Sequence, residues 1–166
     1  SMDEGVQTKW ADVETQYQRR ADLIPNLVNT VKGYAAHESE TLQAVVEARA
    51  KATSVNIDPT NITAEQMANF QKAQDGVSSA LGRLLVTVEK YPELKANENF
   101  RELQAQLEGT ENRISVARRD FNESARKYNT TLRSFPKNIL AGMFGFEKKA
   151  YFEAQEGSEQ APTVQF

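Results

Sequence analysis

Cysteine is absent from the 166-residue chain. That removes disulfides, a thiolate nucleophile and any sulfur-ligated zinc or iron–sulfur site. Eight glycines and five prolines leave few points where regular structure must stop, so long uninterrupted elements are expected. Nowhere do about 20 apolar residues run together, and no signal peptide opens the chain, so it contains no segment that reads as a membrane span. A basic excess is lacking too. Lys and Arg number 20 against 23 Asp and Glu, for a net charge of −3, and a nucleic-acid partner needs clustered cationic side chains in excess. Histidine occurs once, at His37, so the paired Glu-x-x-His sites of di-iron bundles cannot be assembled. No G-x-S-x-G is present, and Gly142 and Gly145 bracket Met143 and Phe144 without the Lys, Ser or Thr that a phosphate loop requires. These absences leave binding or structural work rather than catalysis, with no cofactor and no metal expected.

What remains is helical periodicity. Phe100, Leu103, Leu107, Thr110, Ile114, Ala117, Phe121, Ser124, Tyr128, Thr131 and Phe135 alternate spacings of three and four, which predicts one helix of roughly 55 Å at about 1.5 Å per residue. Asn99 and Glu102 read as the capping pair at its start. A second stripe runs Phe70, Ala73, Val77, Leu81, Leu84, Val88 and Tyr91. It is preceded by a capping box of Thr63 and Gln66 and by a staple of Ile62 against Met67, and it should end near Pro92. The stretch Asn56 to Asn61, with Asp58 and Pro59, reads as the loop before it. Upstream, Trp10, Val13, Tyr17, Ile24, Leu27, Val31 and Tyr34 continue to Leu42, Val45 and Ala52 with the same mean period. Only Pro25 interrupts, and a kink or break is expected between Asp22 and Asn26, with Asp22 capping a new helix if it breaks. Three stripes joined by short connections predict an all-α, elongated, antiparallel up-and-down bundle, four-helix-type if Pro25 divides the first. The bundle domain is assigned to 1–152, ending in a short helix after Pro136, and the polar tail to 153–166. The tail is expected to dock. A monomer is expected, because the stripes can cover one another.

Candidate binding residues are few. Continuing the spacing from Tyr17 places Arg20 at the seam or beside it, where it needs a partner or must snorkel. Arg19, Arg20 and Asp22 would gather at the corner made by Pro25. Phe144 and Phe146, with Tyr151 and Phe152, either cap one end of the bundle or offer an apolar patch to a partner. Glu108, Glu111, Asp120 and Glu123 read as a solvated face laced with Arg113, Arg118 and Arg119. His37 reads as a surface residue.

The run Arg19-Arg20-Ala21-Asp22-Leu23-Ile24-Pro25-Asn26-Leu27-Val28 after the Trp10 segment, then Val31-Lys32-Gly33-Tyr34, His37-Glu38, Tyr128-Asn129, Phe135-Pro136 and Phe144-Gly145-Phe146, resembles the LemA family of bacterial envelope proteins over nearly the whole chain. The resemblance implies a helical bundle tethered by a transmembrane segment or lipid anchor just upstream of the tryptophan-containing helix, with a lipid-anchored periplasmic domain favoured. It brings no reaction with it. Ser1 ahead of Met2 reads as a remnant of tag cleavage, so a longer natural chain is expected. Together these readings give a membrane-tethered scaffold that binds another envelope protein, with a small-ligand-binding bundle, its pocket near Arg20, as the alternative.

Overall fold

The computed structural model describes residues 2–133 and Phe152, with side chains described over 4–130 and at Phe152. Among the described residues five helices follow one another: α1 Met2–Ala35, α2 Ser39–Ser54, α3 Ala64–Val88, α4 Pro92–Lys95 and α5 Glu98–Arg133. There is no strand among the described residues, and the all-α bundle predicted from periodicity is present. α1 lies along α5, α2 along α3, and α1 also packs on α2. Cross-helix pairs fix the directions. Asn99 of α5 meets Thr30 of α1, and Phe121 meets Trp10, so residues advance along one helix as they retreat along the other.

Of the kink or break expected at Pro25, the break does not occur. α1 runs through it without interruption, Asp22 is an interior residue whose Oδ1 accepts a bond from Gln18 Nε2 (2.8 Å), and no second helix starts there. Proline deprives the Ala21 carbonyl of the amide that should reach it four residues on. Arg49 of α2 supplies the missing donor, with Nε 2.7 Å from that oxygen. The proline itself is exposed, so its ring displaces nothing in the core.

The helix ends elsewhere, at a turn spanning 36–38 that periodicity did not reveal. Ala35 and Leu42 are both buried and seven positions apart, so the turn leaves the apolar phase intact across it. It is held from outside. The Tyr91 hydroxyl donates to Glu38 Oε1 (2.9 Å) and lies 2.7 Å from His37 Nε2. One hydroxyl proton cannot serve both, so His37 carries its proton on Nε2 and donates to Tyr91. Tyr34, expected on the stripe, is 41 % exposed and accepts from Asn97 Nδ2, while Ala35 takes the inner place.

Helix α3 begins as its sequence announces: Thr63 accepts from the Gln66 amide at 3.1 Å and Gln66 accepts from the Thr63 amide at 3.3 Å. Two orphan donors of the first turn are thereby satisfied. Asp58 organises the preceding loop by accepting from the amide and the hydroxyl of Thr60. At the start of α5 the cap is Asn97, whose Oδ1 accepts from the Phe100 amide (2.9 Å). Asn99, expected in that role, spends its amide on Thr30. α3 ends at Val88, near Pro92 as expected, and Pro92 opens the single turn of α4 at its first position, where its missing amide proton costs nothing.

Among the described residues the buried apolar side chains form two clusters. One gathers Ile24, Leu27, Val31, Val77, Leu81, Leu84, Leu94, Phe100 and Leu107 with their neighbours at the end of the α1–α2 turn. The other gathers Val6, Trp10, Val13, Tyr17, Met67, Phe70, Ile114, Phe121, Tyr128 and Phe152 at the end where α1 begins. Phe135, Phe144, Phe146 and Tyr151, the short helix after Pro136 and the tail 153–166 lie outside the described residues, as does the side chain of Thr131.

Candidate functional site

Between the two apolar clusters lies a polar layer, and Arg20 is its centre. On α1 it falls between Tyr17 and Ile24, on α3 Gln74 falls between Phe70 and Val77, and on α5 Thr110 and Glu111 fall between Leu107 and Ile114. Arg20 is 1 % exposed. Its Nη1 donates to Glu111 Oε1 (2.7 Å) and to Ser78 Oγ (2.8 Å). Its Nη2 donates to the backbone oxygen of Gln74 (2.8 Å) and to the side-chain Oε1 of the same residue (2.9 Å). The guanidinium also lies 5.1 Å from the centre of the Tyr17 ring. All four terminal N–H groups are therefore used, and one arginine ties α1 to both α3 and α5. A buried charge is tolerable only when paired and hydrogen-bonded in this way. Of the two alternatives open in the sequence, the inter-helix ion pair is the one present.

Glu111 was the partner that sequence reasoning missed. It was grouped with a solvated face, yet its side chain is only 15 % exposed. Its position directly after Thr110 on the stripe was the available signal. Elsewhere on that face Glu108 and Glu123 are exposed as expected and Glu123 is joined to Lys127 at 3.5 Å, while Asp120 is half-buried and Arg118 lies over the Phe152 ring.

Beside Arg20 opens a cleft of about 140 Å³, lined among others by Glu14, Gln18, Arg49, Asn56 and Gln74. That is room for a few waters at about 30 Å³ each. Burial pushes the Glu14 carboxyl above its ordinary pKa, with the Trp10 indole one turn back acting in the opposite sense. Arg19 and Asp22 do not join Arg20 here. They are exposed and line a separate, open groove of about 630 Å³ between α1 and α5, with Glu102, Gln106 and Arg113. A helix turns 100° per residue, so consecutive Arg19 and Arg20 face different sides once the helix continues unbroken.

The end of the bundle where α1 begins carries an aromatic cage. The Trp10 ring stands 4.9 Å from Phe70 and 5.4 Å from Phe121, both edge-on, and stacks on Phe152 at 6.0 Å. Phe152 also meets Phe70 and Phe121, and the Arg118 guanidinium lies 4.6 Å above its ring. The Trp10 indole nitrogen is buried and makes no hydrogen bond of ordinary geometry among the described residues, the Glu14 carboxyl one turn on being the acceptor near enough to feel it. Asn122 holds the main chain of Phe152: its Oδ1 accepts from the Phe152 amide (2.9 Å) and its Nδ2 donates to the Phe152 carbonyl (3.5 Å). The sequence offered this cage as an end cap or a patch; for Phe152 the structure gives burial.

His37 is exposed over 77 % of its side chain and sits in the α1–α2 turn rather than on a helix. Among the described residues no three His, Asp or Glu side chains gather where they could hold a metal, and no helix is long and apolar enough to cross a membrane.

The LemA family profile matches residues 9–166, and the chain belongs to that family. Magnetosome protein MamQ 2 of Paramagnetospirillum magneticum is 27 % identical over 176 aligned positions, covering 96 % of this chain and 65 % of that protein. Magnetosome protein MamQ of Magnetospirillum gryphiswaldense is likewise 27 % identical with the same coverage. Protein LemA of Metamycoplasma hominis is 23 % identical over 91 % of this chain and 65 % of its own length. The chain thus spans about two thirds of each of these relatives, just under that fraction in every case.

Proposed function

We propose that the chain is the helical body of a membrane-tethered, non-enzymatic scaffold of the bacterial cell envelope, which binds another envelope protein through its outer surface. The observation that carries this reading is the commitment of Arg20. The side chain that would serve a ligand in mid-bundle is bound on all four terminal donors by the chain's own α3 and α5. Polar chemistry inside the bundle therefore holds helices together, and recognition is left to the outside. The alternative, a ligand carrier using the cleft beside Arg20, is weaker for the same reason and because the cleft is small.

Family membership supports the tether and its position upstream of the Trp10 helix. The beginning of α1, the α2–α3 loop and the Phe152 cage share one end of the bundle, which in this reading faces the membrane. α1 extends about 50 Å from it at roughly 1.5 Å per residue and carries the Arg19–Asp22 groove partway along. In that groove Arg19 and Arg113 stand among Asp22 and Glu102, a mixed-charge surface suited to a protein partner. Because Arg20 is buried, Arg20→Ala is no probe of partner capture; Arg19→Ala and Asp22→Ala are. Photo-crosslinkers placed at Arg19 and, as a control, at the exposed Val86 of α3 should be compared in the anchored full-length protein in its native cells. Adducts with one envelope protein from position 19, lost in Asp22→Ala, are expected. Equal capture from both positions, or recovery of the protein in the soluble fraction, would overturn the reading.

A further inference from the structure

The geometry points to a segment-exchange site: we infer that the aromatic cage at the end of the bundle is a socket for an extended, phenylalanine-bearing segment, and that a second copy of this chain can fill it with its own Phe152.

The argument begins with how Phe152 is held. The other rings of the cage sit on helices, and removing any of them requires opening a helix. Phe152 lies beyond α5 and is fixed by ring contacts to Trp10, Phe70 and Phe121, by the overlying Arg118, and by two bonds from the Asn122 amide. A side-chain amide that accepts from a residue's N–H and donates to its C=O copies the pairing that a neighbouring strand gives. This is how a protein recognises an extended peptide: main-chain bonds give adhesion and a pocket for the side chain gives selectivity. Here a single Asn supplies the first and three aromatic rings with one guanidinium supply the second.

Chain length supplies the occupant. Eighteen residues separate Arg133 from Phe152. The path back from Arg133 to the level of Asn122 is eleven helical residues, about 16 Å at roughly 1.5 Å each. An eighteen-residue connection can reach about 60 Å, more than three times what its own socket demands. The same connection therefore suffices to place Phe152 in the socket of an adjacent molecule, the arrangement of a domain swap. Within one chain the short tether favours self-occupancy at an effective concentration in the millimolar range. Exchange then belongs to crowded or confined molecules and leaves the dilute chain a monomer.

The only tryptophan of the chain is Trp10, stacked on Phe152, so its emission reports whether the socket is filled. Two variants separate the halves of the interaction. Phe152→Ala has a socket with nothing to fill it; Asn122→Ala, carrying Trp10→Phe so that it does not emit, has a Phe152 segment that its own socket no longer clamps. Mixed at several hundred micromolar, they should pair. The Trp10 emission of the first should shift toward its wild-type position, and sedimentation equilibrium should show a species of about twice 18.6 kDa that neither variant forms alone. Adding Asn122→Ala to the acceptor should weaken pairing about tenfold or more, as expected for losing a main-chain clamp. A synthetic peptide covering 147–158 should produce the same shift. Peptide binding without association of the two chains overturns exchange with a second copy. Peptide binding that ignores Asn122 overturns the socket itself. Should Phe152→Ala fail to fold by far-ultraviolet circular dichroism, a protease site placed within 134–151 and cut after folding does the same work. Dilution of the cut protein should release the fragment and shift Trp10, and no shift on dilution overturns the inference.

Discussion

Pro25 and Arg49 are 24 positions apart and lie on different helices, yet they should behave as a coupled pair, because both act on the Ala21 carbonyl. In the native chain proline removes the intrahelical donor and Arg49 Nε replaces it at 2.7 Å in a part-buried setting. Arg49→Met keeps most of the stem and deletes the donor. Leaving a partly buried carbonyl without a partner costs about 1–3 kcal/mol, and bonds from charged donors lie toward the upper end. Pro25→Ala returns an amide proton to position 25 and removes a residue about 3 kcal/mol less favourable than alanine in a helix interior. Only part of that is recovered, because Arg49 already satisfies the oxygen and because proline restricts the unfolded chain. A gain of about 1–2 kcal/mol is expected.

The double variant decides the matter. With alanine at 25 the carbonyl bonds within α1, so adding Arg49→Met should then cost less than about 1 kcal/mol, against roughly 2 kcal/mol in the native background. The coupling of about 1 kcal/mol or more exceeds the 0.3–0.5 kcal/mol scatter of independent sites. Urea unfolding of the four proteins, read by far-ultraviolet circular dichroism with a common m-value, measures it. Additivity within that scatter, or a loss of stability in Pro25→Ala, would refute the substitution of one donor for the other.

Other perturbations follow from burial. Phe121→Ala and Ile114→Ala, at 0 % and 3 % exposure, should each cost about 2–5 kcal/mol in urea melts, while Ser124→Ala, half-buried, should cost under about 0.5 kcal/mol; equal costs would contradict the packing. Thr63→Ala removes the capping box of α3 and should lower stability by about 1 kcal/mol, with Thr63→Ser recovering most of it. Arg20→Ala should cost about 3–5 kcal/mol by stranding Glu111 and Gln74, whereas Arg20→Met combined with Glu111→Leu should lie much closer to the native protein; thermal melts in which the single variant is neutral would mean that the layer is dispensable. The native chain at low micromolar concentration should sediment near 18.6 kDa.

Legibility in the sequence tracked the range of the interaction. The α5 stripe and the Thr63–Gln66 box are settled by neighbours three and four residues away, and both are present, the stripe as far as Tyr128. The stripe drifts where it should: Ser124 is half-buried and Ala125 fully buried, because a helix of 3.6 residues per turn slips by about 20° per heptad. What failed depended on distant partners. At Pro25 the sequence leaves kink and break both open, and the break is absent for a reason local rules cannot see, the donor that Arg49 supplies. The real turn at 36–38 was hidden because seven residues from Ala35 to Leu42 preserve the phase, and it is pinned by Tyr91, 53 positions along the chain from Glu38. Asn97 rather than Asn99 caps α5 because Thr30 claims the latter. At the candidate site Arg20 lies at the seam, where its spacing allowed it, while Glu111, its partner 91 positions away, is marked only by its place directly after Thr110, and the association of Arg19 and Asp22 with Arg20 depended on a break that α1 does not make.

The position of the polar layer has a consequence for how the bundle is held in register. A core of Leu, Val and Phe alone tolerates sliding of one helix past another by a turn with modest loss, because apolar contacts are replaced by similar ones. Arg20 does not tolerate it. A displacement of one turn, about 5.4 Å, would carry Glu111 away from the guanidinium and bring Leu107 or Ile114 opposite a buried charge. The cost of that charge left unpaired exceeds what a repacked methylene or two returns. α1 is thus locked to α5 and α3 at one level, and the two apolar clusters on either side keep fixed partners. The cage around Trp10 depends on this lock, since Trp10 on α1, Phe70 on α3 and Phe121 on α5 meet only when all three helices keep that register. The residue that looked like a ligand site therefore acts ten positions away, by setting the geometry of the socket at the end of the bundle.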